Sequence, residues 1–231
     1  MSELDILAIG AHPDDVEIGA AGSLLLAVKH GRRVGILDMT YAELSSNGTV
    51  ERRQEEASAA DELIGVTARY NFGLPDRGLE TVREEAIRRT VDLIRKTRPR
   101  VILAPYWQDR HPDHEIVSRI VREAVFSAGI HKYAGYEAHP AYRPSQLLYY
   151  FINTTVTPTV MVDVSGVYHE KLAVLRCYRS QFEREEGSVT TPLNNGYLEM
   201  VEYRERLLGQ QAGVTYAEGF VSAAPYVLAS L

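Results

Sequence analysis

The spacing of apolar residues changes along the chain, and each change predicts an element. Leu4 to Ile9 is a short, mostly apolar run that reads as a buried strand. Val16 to His30 repeats apolar residues at helical spacing, with Leu24, Leu25 and Val28 on one side, and is stopped by Gly31. Arg33 to Met39 reads as the next strand. The polar stretch from Thr40 to Val50, containing Ser45-Ser46-Asn47-Gly48, predicts a loop, and Glu51 to Ile64 a helix through Ala57, Ala60 and Leu63 that ends at Gly65. Ala68 to Phe72 predicts a third strand and Leu74 to Gly78 a turn. Val82 to Thr97 follows as a helix with Ile87, Val91 and Ile94 apolar, then Arg100 to Pro105 as a strand and Glu115 to Ser127 as a helix.

Strands that alternate with helices imply right-handed crossovers and a mostly parallel sheet covered on both faces, a doubly wound α/β architecture. Beyond about residue 130 the pattern changes. Leu147 to Ile152 and Val160 to Val164 read as strands separated by only a short Thr/Pro segment, so this part need not be βαβ. The expectation is one domain over 1–231, with a core at 1–128 and an extension of the same domain at 129–231. Gln181 to Asn195 is charged, rich in Gly and Thr and without periodicity, which predicts an exposed, mobile loop, either a solvated connector or a lid.

At 231 residues, 45% hydrophobic and 24% charged, the chain can close one sizeable core. A net charge of -6 with no long basic stretch argues against a general nucleic-acid or membrane-surface binder, so an anionic ligand would be met by local arginines. The single cysteine, Cys177, forms no intramolecular disulfide and no Cys-x-x-Cys pair, which fits a reducing compartment. Met1 to Asp5 lead directly into the first strand without a basic segment or a long apolar run. A cytoplasmic location is the expectation.

Two tetrapeptides share a grammar. His12-Pro13-Asp14-Asp15 follows the first strand and opens a helix, and His111-Pro112-Asp113-His114 follows the strand that ends at Pro105. In open parallel sheets ligands bind beyond the carboxyl ends of strands where the order reverses, and in the common 3-2-1-4 order strands one and four are neighbours there. With Pro13 and Pro112 in first helical turns, His12, Asp15 and His114 make two imidazoles and one carboxylate, a set suited to Zn²⁺ with a position left open for water. Asp14 is the candidate general base. His111 is placed to donate a hydrogen bond or proton where charge develops, with Asp113 favouring its imidazolium form. The bland alternative for each tetrapeptide alone is a helix cap, because Asp is favoured in a first turn. Arg52, Arg53, Arg77 and Arg110 fall in or beside loops at the same sheet edge and would form a positive rim, with Arg53 and Arg110 the first candidates for an anionic substrate group.

The Ala-His-Pro-Asp-Asp-Val-Glu segment at 11–17 and the His-Pro-Asp-His segment at 111–114 resemble the LmbE-like, or PIG-L-like, N-acetylglucosamine deacetylases. Leu44 to Thr49, Pro75-Asp76-Arg77-Gly78-Leu79, Asp109-Arg110 and Tyr216 to Phe220 extend the resemblance toward the branch acting on N-acetylglucosaminyl-malate in the bacillithiol pathway. The resemblance implies a Rossmann-like fold and zinc, or another divalent ion such as Fe²⁺, on His12, Asp15 and His114. It implies Asp14 as base, His111 with Asp113 assisting, and Arg143 stabilising the tetrahedral intermediate. It also implies a small-molecule GlcNAc conjugate met by Arg53, Arg110 and Asn47, and assembly as a homohexamer.

A nucleotide-binding module is the first rival, but Gly10-Ala11-His12-Pro13 supplies no glycine-rich phosphate loop. Phosphoester hydrolysis or base deamination lacks a second carboxylate-rich metal site and a Pro-Cys-x-x-Cys motif. Deacetylation of free GlcNAc or a chitooligosaccharide stays open beside the malate conjugate.

Overall fold

The computed structural model describes residues 3–133, 138–222 and 224–225, so the opening residues Met1 and Ser2 lie outside the described residues. The first half is a run of strand and helix pairs: β1 (Ile6–Gly10), α1 (Asp15–Lys29), β2 (Val34–Thr40), α2 (Val50–Ile64), β3 (Ala68–Leu74), α3 (Arg83–Thr97), β4 (Val101–Pro105) and α4 (Pro112–Ala128). The second half holds β5 (Gln146–Tyr150), β6 (Val160–Asp163), α5 (Tyr168–Cys177), α6 (Arg179–Phe182), α7 (Tyr197–Ala212) and β7 (Ala217–Ser222).

All seven strands join one sheet in the order β3-β2-β1-β4-β5-β7-β6. Pairing is parallel from β3 to β5, and β7 runs antiparallel to both β5 and β6. The expected mostly parallel α/β sheet is therefore present, and the reversal between β1 and β4 sits where the sequence puts it. β5 and β6, read as a close pair of strands, do not pair with each other. Three helices intervene before β7 returns between them, which no local signal announces.

Alternation along the strands divides the core into two layers. Ala8, Ile36, Leu103 and Tyr150 face α1, α2, α5 and α7, while Leu7, Ile9, Leu37, Ile102 and Tyr149 face α3 and α4. Gly19 in α1 is required by this packing, because a Cβ there would lie 2.2 Å from the Tyr150 ring. With the ring against the helix, the Tyr150 hydroxyl donates to the Ile9 carbonyl at 2.8 Å and ties β5 to β1 just below the sheet edge. No helix among the described residues is long and apolar enough to cross a membrane.

Candidate metal centre and active site

The loops after β1, β2, β3, β4 and β5 open on one cavity of about 410 Å³ at the carboxyl edge of the sheet. Both tetrapeptides reach it, but they are folded differently. In the second, His111 is the N-cap residue of α4 and its Nδ1 accepts the Asp113 backbone N–H at 3.3 Å, with Pro112 as the first helical residue. In the first, Pro13 precedes the helix and Asp14 is the N-cap residue, two positions later in the motif than its counterpart. The expectation that both prolines occupy the first helical turn thus holds for Pro112 and not for Pro13. Asp14 has φ 125° and ψ -26°, outside the basins that non-glycine residues normally adopt, and its side chain caps no backbone N–H. The helix-cap alternative fails for Asp14.

Asp15 Oδ2 accepts the backbone N–H groups of Ala11 (2.9 Å) and His12 (3.0 Å), which turns the chain back on itself just past β1. Gly10 makes room for this turn, since a Cβ there would come 3.0 Å from that of Asp15. The same carboxylate lies 3.1 Å from His114 Nε2 and 3.5 Å from His12 Nδ1. Ligand atoms of a tetrahedral Zn²⁺ site with bonds of about 2.0–2.1 Å lie about 3.3 Å apart. The two Asp15 contacts are near that spacing, but they run to different carboxylate oxygens, Oδ2 to His12 and Oδ1 to His114. His111, whose ring stacks on His114 with centroids 4.7 Å apart, has a nitrogen within 4.8 Å of nitrogens on His12 and His114, and His12, Asp76 and Asp113 form another such group.

The outward nitrogens of both rings are also held. His12 Nε2 is 3.2 Å from Asp76 and 3.7 Å from Asp113, and His114 Nδ1 is 3.0 Å from Asp109. Carboxylates on the far nitrogens of ligand imidazoles fix ring orientation and raise basicity. Asp109 is itself fixed by the His111 backbone N–H (2.9 Å) and by Asn153, through its backbone N–H (3.0 Å) and side-chain amide (2.8 Å).

Four carboxylates around two imidazoles create a demand for positive charge. Burial opposes it at His114, yet Asp15 and Asp109 lift the ring to about 9; at His12 burial is likewise outweighed by Asp113, Asp15 and Asp76. Burial would neutralise Asp15, but His114 and His12 hold it well below the usual carboxylate range. Asp14, with fewer partners, is pushed by burial to about 7 despite Arg53 beside it. His111 is pushed down to about 4, by burial and then by the other two rings.

Several expected site residues are placed elsewhere or otherwise engaged. Asp113 is fully buried behind His12, with its carboxylate accepting the Arg77 backbone N–H at 2.8 Å. It meets His111 through its own backbone N–H, because the ring occupies the cap position, and not as a carboxylate beside the ring. Arg53 lines the cavity at 4% exposure but is committed to Asp14 Oδ2 (3.0 Å), the Pro13 carbonyl (2.5 Å) and Ser45 Oγ (3.1 Å). Arg77 and Arg110 are exposed cations on the same wall, whereas Arg52 turns to Glu185 and Glu56. Arg143 is not brought to the cavity. Its guanidinium lies against Gly129 at the far end of α4, where a Cβ would sit 3.0 Å from Arg143 Nε.

Asn47 is outside the cavity lining as well. Its amide donates to the Val189 carbonyl (2.9 Å) and accepts the Val189 N–H (2.8 Å). The 181–195 segment is exposed over much of its length, Val189 among its exposed residues, yet it is tied to the cavity at both ends. Gln181 and Asn194 are buried, Asn194 adds a bond to the Val189 carbonyl, and Thr191, Pro192 and Leu193 form one wall of the cavity. Asp76, Asp109 and Asn153 are the residues to which sequence reasoning gave no role. The two aspartates carry a signal, a carboxylate in the loop just past β3 or β4, whereas Asn153 carries none.

Comparison with known proteins places the chain. A Thermus thermophilus protein of solved structure, TT1542, superposes with a TM-score of 0.87 at 38% identity, covering 99% of each chain. Diacetylchitobiose deacetylase of Thermococcus kodakarensis is 30% identical over 93% of this chain and 81% of its own length. A Bacillus anthracis protein named Probable N-acetyl-alpha-D-glucosaminyl L-malate deacetylase 2 is 23% identical over 89% and 93% of the two chains. Residues 7–125, which carry both tetrapeptides, match the PIG-L family described as GlcNAc-PI de-N-acetylase, and the chain belongs to that family.

Proposed function

We propose that this chain is a metal-dependent amide hydrolase that removes the N-acetyl group from a GlcNAc conjugate. The observation that carries the reading is Asp14: a buried carboxylate, capping nothing, that lines the cavity next to the donor set of His12, Asp15 and His114. Zn²⁺ is the first candidate for that set and Fe²⁺ the second. When bound, the ion supplies Lewis-acid polarisation of the acetyl carbonyl and of a water molecule.

The chain's own residues divide the remaining work. Asp14 takes the proton of the attacking water, and its environment keeps its proton affinity near neutrality, where a general base is most effective. His111 Nδ1 is occupied as an acceptor, so the neutral ring carries its proton on Nε2 and donates a hydrogen bond from it to the developing oxyanion. Asp109 and Asp76 keep the His114 and His12 rings in one orientation. Attack forms the new C–O bond, collapse of the tetrahedral species breaks the amide C–N bond, and the proton held by Asp14 passes to the departing nitrogen, releasing acetate and the free amine. Arg143 and Asn47, which lie away from the cavity, have no part in this scheme.

N-acetylglucosaminyl-malate is the first substrate to test, with Arg110 and Arg77 as the cations for its carboxylates. N,N'-diacetylchitobiose is the second. It is favoured by the similarity to the Thermococcus enzyme and by the commitment of Arg53 to Asp14, which leaves a malate group fewer free cations. The test is amine release from both compounds and from free GlcNAc, on chelator-treated protein and after Zn²⁺ or Fe²⁺ add-back. Turnover of at least one compound that vanishes with the chelator and returns with metal is expected. Full activity without metal, or none on any of the three after reloading, would overturn the reading.

A further inference from the structure

Arg53 is the cation in hydrogen-bonding contact with Asp14 among the described residues, and its contact is more than an ion pair. One nitrogen, Nη1, donates both to the Asp14 carboxylate and to the carbonyl of Pro13, the residue just before the unusual φ of 125°. It thus grips the side chain and the backbone that aims it. Such a backbone conformation persists only where its surroundings over-determine it.

The platform that carries Arg53 is itself fixed. Thr49 caps α2, its hydroxyl accepting the Arg52 N–H at 3.2 Å, and Arg53 lies in the first turn beyond it. One turn on, Glu56 is 8% exposed and accepts from both the backbone N–H (2.7 Å) and hydroxyl (2.6 Å) of Ser180. α2 is thereby pinned to α6, and Arg53 projects from a rigid first turn toward Asp14. The Arg53 Nη1 and Nη2 are taken by Asp14, the Pro13 carbonyl and Ser45, and only Nε is left as a buried donor without a partner among the described residues.

We propose that Arg53 is the positioning residue for Asp14, holding its carboxylate and the backbone beneath it in the orientation that faces the cavity. The proposal rests on the reading of Asp14 as general base. It deepens that reading by assigning the group that aims the base. A misplacement of about 1 Å at a reacting group costs on the order of 100-fold in rate. Truncating Arg53 is therefore expected to lower kcat about 100-fold while KM stays within about threefold.

The experiment measures kcat and KM separately for metal-loaded Arg53→Ala and Arg53→Lys, with N,N'-diacetylchitobiose and N-acetylglucosaminyl-malate as probes and metal content checked for each. Arg53→Lys should retain part of kcat. Added guanidinium should restore part of it to Arg53→Ala and nothing to Asp14→Asn. A rise in KM at unchanged kcat would make Arg53 a substrate contact and overturn the proposal. Melting of Arg53→Ala, Asp14→Ala and the double variant needs no substrate. The double variant should lose at least about 2 °C less than the two single losses added, because the pair is coupled. Additive losses would overturn the proposal even with Asp14 intact as base. A wild type inactive on both probes, with coupled melting, would overturn the functional reading and leave the Arg53–Asp14 coupling standing.

Discussion

His12-Pro13-Asp14-Asp15 and His111-Pro112-Asp113-His114 share their first three residues and begin helices beside neighbouring strands, β1 and β4. In the second copy His111 caps the helix, Pro112 takes the first helical position, and Asp113 is buried under the Arg77 amide. In the first copy the cap falls one residue later in the motif than its Pro, on Asp14, with a backbone that glycine would adopt more readily. The shift sends Asp113 behind His12 and leaves Asp14 on the cavity. In the proposed scheme the relaxed copy supplies one imidazole, and the strained copy supplies the other together with Asp15 and the base.

The largest effects should separate the ligands from the base. His114→Ala is expected to lose both metal and turnover, while Asp14→Asn keeps the metal and loses about 10²–10⁴ in kcat, as removal of a general base does. Metal analysis alongside kinetics checks this, and a metal-free Asp14→Asn would place Asp14 among the ligands. Next in size, Asp109→Ala should weaken metal affinity by about 10- to 100-fold in chelator competition by releasing the His114 ring. An unchanged affinity would mean that the stack on His111 holds the ring without Asp109.

A smaller, signed effect bears directly on the register difference. Asp14→Gly should melt about 2–4 °C above Asp14→Ala, because both lose the contact with Arg53 while only glycine relaxes at φ 125°. Asp113→Gly should melt below Asp113→Ala, since it lies inside a helix where glycine is the poorer residue. The same sign at both positions would remove the distinction between the copies. Smallest of all, Asn47→Ala should raise KM about two- to tenfold without changing metal affinity, by loosening Val189 and the wall at Thr191 to Leu193. Normal KM would show that the wall stands without Asn47.

The elements of the first half were legible because each depends on local periodicity, and the convergence of the two tetrapeptides followed from strand order alone. The orienting residues were not. Asp76 lies 64 positions from His12, and Asn153 lies 44 from Asp109. The arginines show the limit most plainly. Arg53 was placed at the sheet edge by its position and Arg143 at the site by resemblance alone, yet Arg53 is drawn to Asp14 by the packing of α2, and Arg143 ends beside Gly129 at the opposite end of α4.

Residue type and short-range spacing were enough to specify the strands and helices of the first half and the sheet edge where a ligand would bind, and to nominate a His, Asp, His donor set. These follow from backbone periodicity and from chemistry that individual side chains carry wherever they are placed. Long-range contacts alone assigned Asp14 its cavity-facing carboxylate, Asp113 its place behind the site, Arg53 its partner and the 181–195 segment its place in the wall. The direction of a side chain at a helix start depends on which residue caps the helix, and a two-residue shift in that cap is set by what packs against it from elsewhere in the chain.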